Sequence, residues 1–501
     1  MSVRDRLGSL FKGKEELDLT SGGIGRPLFF LSFPIIITNL LQVMYNLADT
    51  FWLGQYSTPA LAAISFGFPL VYLLISLGMG LSVAGSVLVA QHTGADEPRK
   101  AEYAASQTVT FSLIGSAILG ALGFFLVGGV LDLFGAEPLV LDLATEYMRV
   151  IAAGLPFMFG FFVFIALMRG SGDTITPMVV MFGTVVLNIV LDPILIFGFQ
   201  NNPLFTALDA GAIQDSLYAV TGYTGNGVEG AAIATVFARA SAMVVGMAIM
   251  LNGSHGIRIR ISEMVPDFDY LGRLLRIGVP ASVENTGRAL SVNLLLFIVG
   301  TFSTTVVAAF GVGIRVFSLI FMPAIAVDRG VETMTGQNIG AGKPDRAAAT
   351  NHFAAKVTFL ILAALGAVIF VIAPQIMAVF TNDAGVIEEG ARFLRWVAPT
   401  FGFMGVLRAY TGGLRGAGKT LTAAAIAILM FGVIRLPVAW VASQRFGPDG
   451  IWFSFAVSNV AAAAIAFGWF QRGTWREADL TDDETGPGST EEVGDATPTD
   501  D

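Results

Sequence analysis

The chain is 501 residues long, 54% hydrophobic and only 13% charged, with a mean hydropathy of +0.70; so little polar surface cannot cover a soluble globule, which makes this a polytopic membrane protein. The net charge of −9 carries no message about partners, because residues 472–501 hold ten acids against Arg472 and Arg476 and the remainder is almost neutral. With no cysteine and three histidines, disulfides and thiol chemistry are excluded and little is left for a histidine-rich metal site.

The first 25 residues are polar, with Arg4, Arg6, Lys12 and Lys14 and no apolar run before Leu28. No cleavable signal is evident, so insertion is expected to begin with the first span. At about 20 apolar residues per span, the pattern predicts an all-α membrane protein with twelve transmembrane helices, near 27–53, 61–91, 102–128, 145–168, 174–199, 228–251, 272–300, 306–336, 347–379, 388–412, 420–443 and 449–471. Residues 1–26 then form an N-terminal segment, 27–252 and 272–471 two six-helix lobes, 253–271 the loop between them, and 472–501 an acidic, disordered tail. Loops on one side carry Arg99, Lys100, Arg169, Arg258, Arg260, Arg273, Arg276, Lys343, Arg346, Arg415 and Lys419; those on the other collect acids such as Asp132, Glu137, Asp209, Asp383 and Glu388. The positive-inside rule therefore puts both termini in the cytoplasm of a multi-pass plasma-membrane protein.

The first span, FPIIITNLLQVMYNLADTFWLG at 33–54, carries Asn39, Gln42, Asn46 and Asp49 at spacings of 3, 4 and 3, which puts all four on one helical face. Such a stripe cannot face hydrocarbon and must line a bundle interior or a wet cavity, which makes Asp49 a candidate for handling ions or substrate.

An internal repeat follows. QHTGADEPRKA at 91–101 matches QNIGAGKPDRA at 337–347, and MRGSGDTIT at 168–176 matches LRGAGKTLT at 414–422, both 246 residues apart, the offset that also relates Pro34 to Pro280. Beyond an extra loop near 200–226 the offset falls to 220. Six helices per repeat, an even number, give both halves one orientation, so the lobes form a parallel repeat about an axis along the membrane normal with a cavity between or within them. The polar residues are not repeated: Asp49, Asn188, Asp192 and Thr235 correspond to Leu295, Ile434, Val438 and Phe455. A set confined to one half favours function over scaffold.

In the fifth span, NIVLDP places Asn188 and Asp192 at i, i+4, with Thr184 a turn below and Pro193 loosening the helix beside the acid. At roughly 1.5 Å per residue, Asp49, Asp192 and Thr235 of the sixth span fall at similar depth, and two carboxylates, amides and a hydroxyl there suit a proton or Na⁺ site that titrates as a coupled pair. Glu284, Arg288 and Ser291 form a second stripe on the seventh span, where the i, i+4 Glu–Arg pair is expected to neutralise itself; Asp328, Arg329 and Glu332 on the eighth line a cavity or pair with that set. GLRGAGKT at 413–420 matches the P-loop pattern, but no strand precedes it and its repeat partner LMRGSGDT lacks the first Gly and the Lys. It is read as a cytoplasmic turn between helices.

These residues resemble the multidrug and toxic compound extrusion (MATE) family, most closely its archaeal, proton-coupled type. The resemblance spans about 20–471 and rests on the FP of the first helix, QVMYNLADTFWLG, the QNIGAGKP-like loops, RGSGDT with RGAGKT, and NIVLDP. It implies a V-shaped, twelve-helix antiporter, not an enzyme and without a cofactor, that exports organic, often cationic, amphiphilic small molecules against H⁺ or Na⁺ by alternating access. It also implies a monomer without nucleic-acid partners. The family pattern assigns ion coupling to Asp49, Asp192, Asn188, Thr235 and Gln42, with Na⁺ held, if at all, by Asp49, Asn188, Asp192 and Thr235, and helix bending to Pro34. Asn39, Tyr45, Asn46, Glu284, Arg288 and Asp328 are the substrate-cavity candidates. The alternative is a flippase for a lipid or lipid-linked substrate, which would use a groove lined by arginines such as Arg288, Arg329, Arg408 and Arg435.

Overall fold

The computed structural model describes residues 18–133, 137–477 and 480. The first seventeen residues and the tail beyond 480, expected to be a polar start and a disordered end, lie outside the described residues. Among the described residues the chain forms twelve long helices. The first six are α1 Gly25–Tyr56, α2 Thr58–Gly94, α3 Pro98–Asp132, α4 Pro138–Gly170, α5 Ile175–Phe197 and α6 Gly227–Asn252. The second six begin with α7 Phe268–Val299, α8 Thr304–Gly340 and α9 Pro344–Ala378; α10 is Ala384–Val397 continued by Phe401–Gly416, α11 Thr420–Phe446 and α12 Pro448–Gln471. Ten are long and apolar enough to cross a bilayer by length and composition. The exceptions have physical causes: α7 carries Arg273, Arg276, Glu284 and Arg288, and α10 is interrupted by the 3₁₀ turn Ala398–Thr400 around Pro399.

The repeat is visible in the backbone. Proline opens α3 and α9 at Pro98 and Pro344, where its missing N–H costs nothing. The turns before them reverse through left-handed residues at equivalent positions, Asp96 (φ 59°) and Gly342 (φ 67°). The packing repeats too: α1 lies on α5 as α7 lies on α11, α2 on α4 as α8 on α10, and α4 on α6 as α10 on α12. The insertion near 200–226, expected as a loop, contains two short helices, Pro203–Ala207 and Gly211–Thr221. Asn202 ties it down by donating to the carbonyls of Pro193 and Gly198, each at 2.7 Å. Pro34 does not break α1, which runs as one helix through it.

The lobes meet through α1, α2, α7 and α8. Toward the end carrying the basic loops the chains are in backbone contact: a Cβ on Gly94 would lie 1.9 Å from the Gln337 carbonyl oxygen, and one on Gly340 at the same distance from that of Gln91. The segment linking the lobes is strapped to the start of α3. Gln107 donates to the carbonyls of Glu263 and Val265 at 2.7 and 2.8 Å, and Tyr103 donates to Asp267 at 2.6 Å. That hydroxyl, with the backbone amides Asp267 caps at the start of α7, holds the Asp267 carboxyl below the usual carboxylate range against the opposing effect of partial burial. In this V-shaped arrangement a cavity of about 280 Å³ is lined mostly by α1, α2, α4 and α5 of the N-terminal lobe, with Ile325 and Arg329 of α8 reaching it from the other lobe.

Candidate functional site

The first polar constellation assembles inside the N-terminal lobe, where α1, α5 and α6 pack together. Helical spacing carries Asn188 and Asp192 to one face of α5, and both side chains are fully buried. The Asn188 amide donates to Asp192 Oδ1 at 3.0 Å. From α6 the Thr235 hydroxyl donates to Asp49 Oδ2 at 3.3 Å, and the Tyr45 hydroxyl donates to the Thr235 carbonyl at 3.3 Å. Asp49 and Asp192 are electrostatic neighbours within this cluster. Asp49 Oδ1, Asp192 Oδ2 and Asn188 Oδ1 are buried without a hydrogen-bond partner among the described residues, and an unsatisfied buried acceptor is costly unless a proton or cation meets it. The oxygens could ligate Na⁺, but they also suit a proton passed between two carboxyls. Thr184 stands apart, its hydroxyl turned back to the Val180 carbonyl of its own helix.

Gln42 faces a partner that sequence reasoning missed. Its Oε1 accepts from Arg239 at 2.7 Å, while its amide donates to Asn46 at 3.1 Å. Arg239, only 3% exposed, packs its guanidinium over the Tyr45 ring at 4.6 Å, with Phe161 and Phe162 close by. A signal existed: Arg239 lies four residues after Thr235 and so shares its helical face. Of the substrate-cavity candidates, Asn39 lines the inter-lobe cavity, joined by Gln42, Arg169 and Arg329; Tyr45 and Asn46 belong instead to the Thr235 and Gln42 networks.

The second constellation is built differently from expectation. Arg288 donates to Asn285 at 2.6 Å, and Glu284 accepts two bonds from Arg415 at 2.9 and 3.1 Å, so the predicted Glu284–Arg288 pair does not form. Arg415 also donates to Glu332 at 3.0 Å and to Asp328, which makes it the hub of a buried triad of acids. Glu284 and Asp328 are thereby bound to Arg415 and, with Arg288 and Arg408, border a small pocket beside it. The hub sits inside the P-loop-like stretch, where Gly413–Gly416 is the last turn of α10 and 417–419 the turn into α11. Arg435, a candidate for a lipid-facing groove, is instead buried in the C-terminal lobe. It occupies a π-helical segment of α11 and donates to Ser458 and Asn459 at 2.9 and 2.8 Å.

The MatE family model matches residues 34–194 and 280–441, two stretches that begin one repeat offset apart. Similar proteins include the probable multidrug resistance protein YoeA of Bacillus subtilis, 26% identical over 466 residues that cover 91% of this chain and 96% of that protein. The probable multidrug resistance protein NorM of Thermotoga maritima is 28% identical over 482 residues, 94% of this chain and 97% of that one. A crystal structure of MATE in the bent conformation superposes with a TM-score of 0.82 over 94% of this chain and 100% of the other, at 24% identity, a likeness of fold. Matched by the family model in both halves, the chain belongs to the MatE family of multi-pass membrane transporters.

Proposed function

We propose that this transporter is a proton-coupled antiporter that exports amphiphilic organic small molecules, the multidrug efflux named for its relatives. The observation that carries the reading is the buried Asp49–Asp192 pair with its unpartnered oxygens, present in one repeat only. The Arg239 guanidinium beside the pair opposes any added cation, H⁺ and Na⁺ alike, and so tunes how tightly the coupling ion is held; the pairing of two carboxyls is what favours H⁺ as the guest. Gln42 offers the connection to cargo, since it holds Arg239 and also lines the inter-lobe cavity. With the pair deprotonated, Arg239 is drawn toward Asp49; with it protonated, Arg239 rests on Gln42 and Tyr45. Moving Gln42 repacks α1 at the cavity wall, with Pro34 as the bending point, so proton and cargo favour different states, as exchange requires. The basic loops lie at the end where the lobes touch, so the positive-inside rule makes that end cytoplasmic and both termini internal.

The test is efflux of a fluorescent amphiphile from proteoliposomes under a pH gradient and a Na⁺ gradient imposed separately. Transport driven by pH and lost in both Asp49→Asn and Asp192→Asn is the expected result. Equal transport by wild type and both variants under the pH gradient would sink the coupling assignment.

A further inference from the structure

The coupling site leaves the inter-lobe cavity and the second constellation without a task, and their charges do not balance. Arg169, Arg288, Arg329, Arg408 and Arg415 gather there. The acids among them are Glu284, Asp328 and Glu332, two fewer. The acids are moreover spoken for: Arg415 holds all three, and Arg329 shares Glu332 at 2.8 Å. Arg288 bonds to neutral Asn285, and Arg408 comes no nearer than 3.8 Å to Asp328. Arg169 reaches Glu332 only at 3.8 Å, and its Nε is buried with no hydrogen-bond partner among the described residues. The repeat sharpens the contrast. Arg169 and Arg415 are equivalent residues of RGSGDT and RGAGKT, yet one is saturated by three carboxylates while the other faces the cavity.

Surplus guanidinium charge within a membrane protein is expensive and is relieved by water or by an anion. Among the described residues, Arg169 and Arg329 are the only charged groups lining the cavity of about 280 Å³; Thr38, Asn39 and Gln42 add neutral polar groups, and Met79 and Phe162 add apolar wall. No described Asp or Glu lines it, so the cationic cargo expected from the family resemblance would meet two like charges and no counter-charge. A carboxylate or phosphate would instead receive charge-assisted, bidentate hydrogen bonds.

We propose that this cavity seats an organic anion or zwitterion, its carboxylate or phosphate between Arg169 and Arg329 and its apolar body against Met79 and Phe162. That such a molecule is the exported cargo rests on the function proposed above; its binding does not.

The test therefore uses full-length protein in detergent with no gradient, and reads fluorescence polarisation of two dyes of one skeleton, rhodamine B with its free carboxylate and the cationic ethyl ester. Rhodamine B should bind about tenfold tighter, the difference expected of a charge-assisted bidentate contact. Arg169→Gln and Arg329→Gln, each first shown monodisperse, should remove most of that preference, and Arg169→Lys should keep part of it. Phosphatidylglycerol added to the micelles separates two sources of the same chemistry: displacement of the dye assigns the seat to a lipid phosphate, and persistence assigns it to a soluble anion. Equal or tighter binding of the ester by the wild type overturns the proposal without reference to any variant. A preference that survives in both glutamine variants overturns the assignment to these two residues. If the dye preference holds while pH-driven efflux fails, the coupling reading falls and the anion seat stands.

Discussion

Gln91 of the N-terminal lobe donates a hydrogen bond from its side-chain amide to the backbone carbonyl of Gly416 in the C-terminal lobe, at 3.0 Å. Gln337, its counterpart 246 residues on, does the same to Gly170, the counterpart of Gly416, at 3.1 Å. The end where the lobes touch is thus closed by one bond written twice about the pseudo-twofold axis. A buried neutral hydrogen bond contributes roughly 1 kcal/mol, a factor of about five in an equilibrium. Gln91→Ala and Gln337→Ala should each shift the population toward the state open at this end, and the double variant should shift it further. The chain has no cysteine, so Arg99→Cys and Asp345→Cys, at repeat-related surface positions, give clean spin-label sites. A new, longer distance in the latch variants is the expected result, and an unchanged distribution in the double variant refutes the latch.

The same end should be sensitive to a single methyl group. Alanine at Gly94 or Gly340 would put a Cβ 1.9 Å from a backbone oxygen of the other lobe, and backbone cannot give way as a flexible side chain can. Gly94→Ala and Gly340→Ala should therefore separate the lobes here more strongly than loss of either glutamine. The same spin-label pair should report mainly the longer distance. A closed distribution like the wild type would mean that the interface yields without opening.

Arg239 sets a prediction about how tightly the coupling ion is held. At an effective dielectric of ~20, a unit positive charge several ångströms away disfavours an added cation by roughly 2 kcal/mol, H⁺ and Na⁺ alike. Arg239→Gln keeps a hydrogen-bond donor for Gln42 and removes the charge, so efflux should persist to a higher pH than in the wild type, with the half-activity pH raised by about one unit or more. The pH profile of dye efflux from proteoliposomes measures this directly. Profiles that coincide in the two proteins would remove Arg239 from the coupling site.

What was legible in the sequence was local and periodic. The 3-4-3 spacing on α1 and the i, i+4 pair Asn188 and Asp192 needed only helical geometry, and the structure brings Asp49, Asn188, Asp192 and Thr235 into one cluster. The 246-residue repeat marks out the two lobes because matched turns fold alike wherever they occur. Pairings between distant helices were not legible. The Glu284–Arg288 spacing satisfies the helix-pair rule, but Arg415, at the far end of α10, brings one guanidinium nitrogen within hydrogen-bond distance of both Glu284 oxygens, which Arg288 does not. Nothing in the local pattern around Arg415 points to that role, since its three acids come from α7 and α8.

The Arg415 hub makes the most stringent claim about stability. One guanidinium serves Glu284, Asp328 and Glu332, each of them buried. Removing one member of a buried ion pair costs about 3–5 kcal/mol because the charge left behind stays desolvated; here Glu284 would lose its ion-pair partner and Asp328 its closest one, while Glu332 keeps Arg329 at 2.8 Å. Arg415→Ala should lower the thermal unfolding temperature in detergent by many degrees. Arg415→Lys should recover only a small part, since an ammonium cannot present the planar fork that reaches several carboxylates at once. The decisive variant combines Arg415→Met with Glu284→Gln, which removes one charge of each sign and leaves Glu332 to Arg329 and Asp328 to Arg408. If the hub stabilises by avoiding stranded acids, this double variant should unfold well above Arg415→Ala despite carrying one more substitution. If it unfolds lower still, the ion network itself contributes net stability, and the desolvation account of Arg415 is wrong.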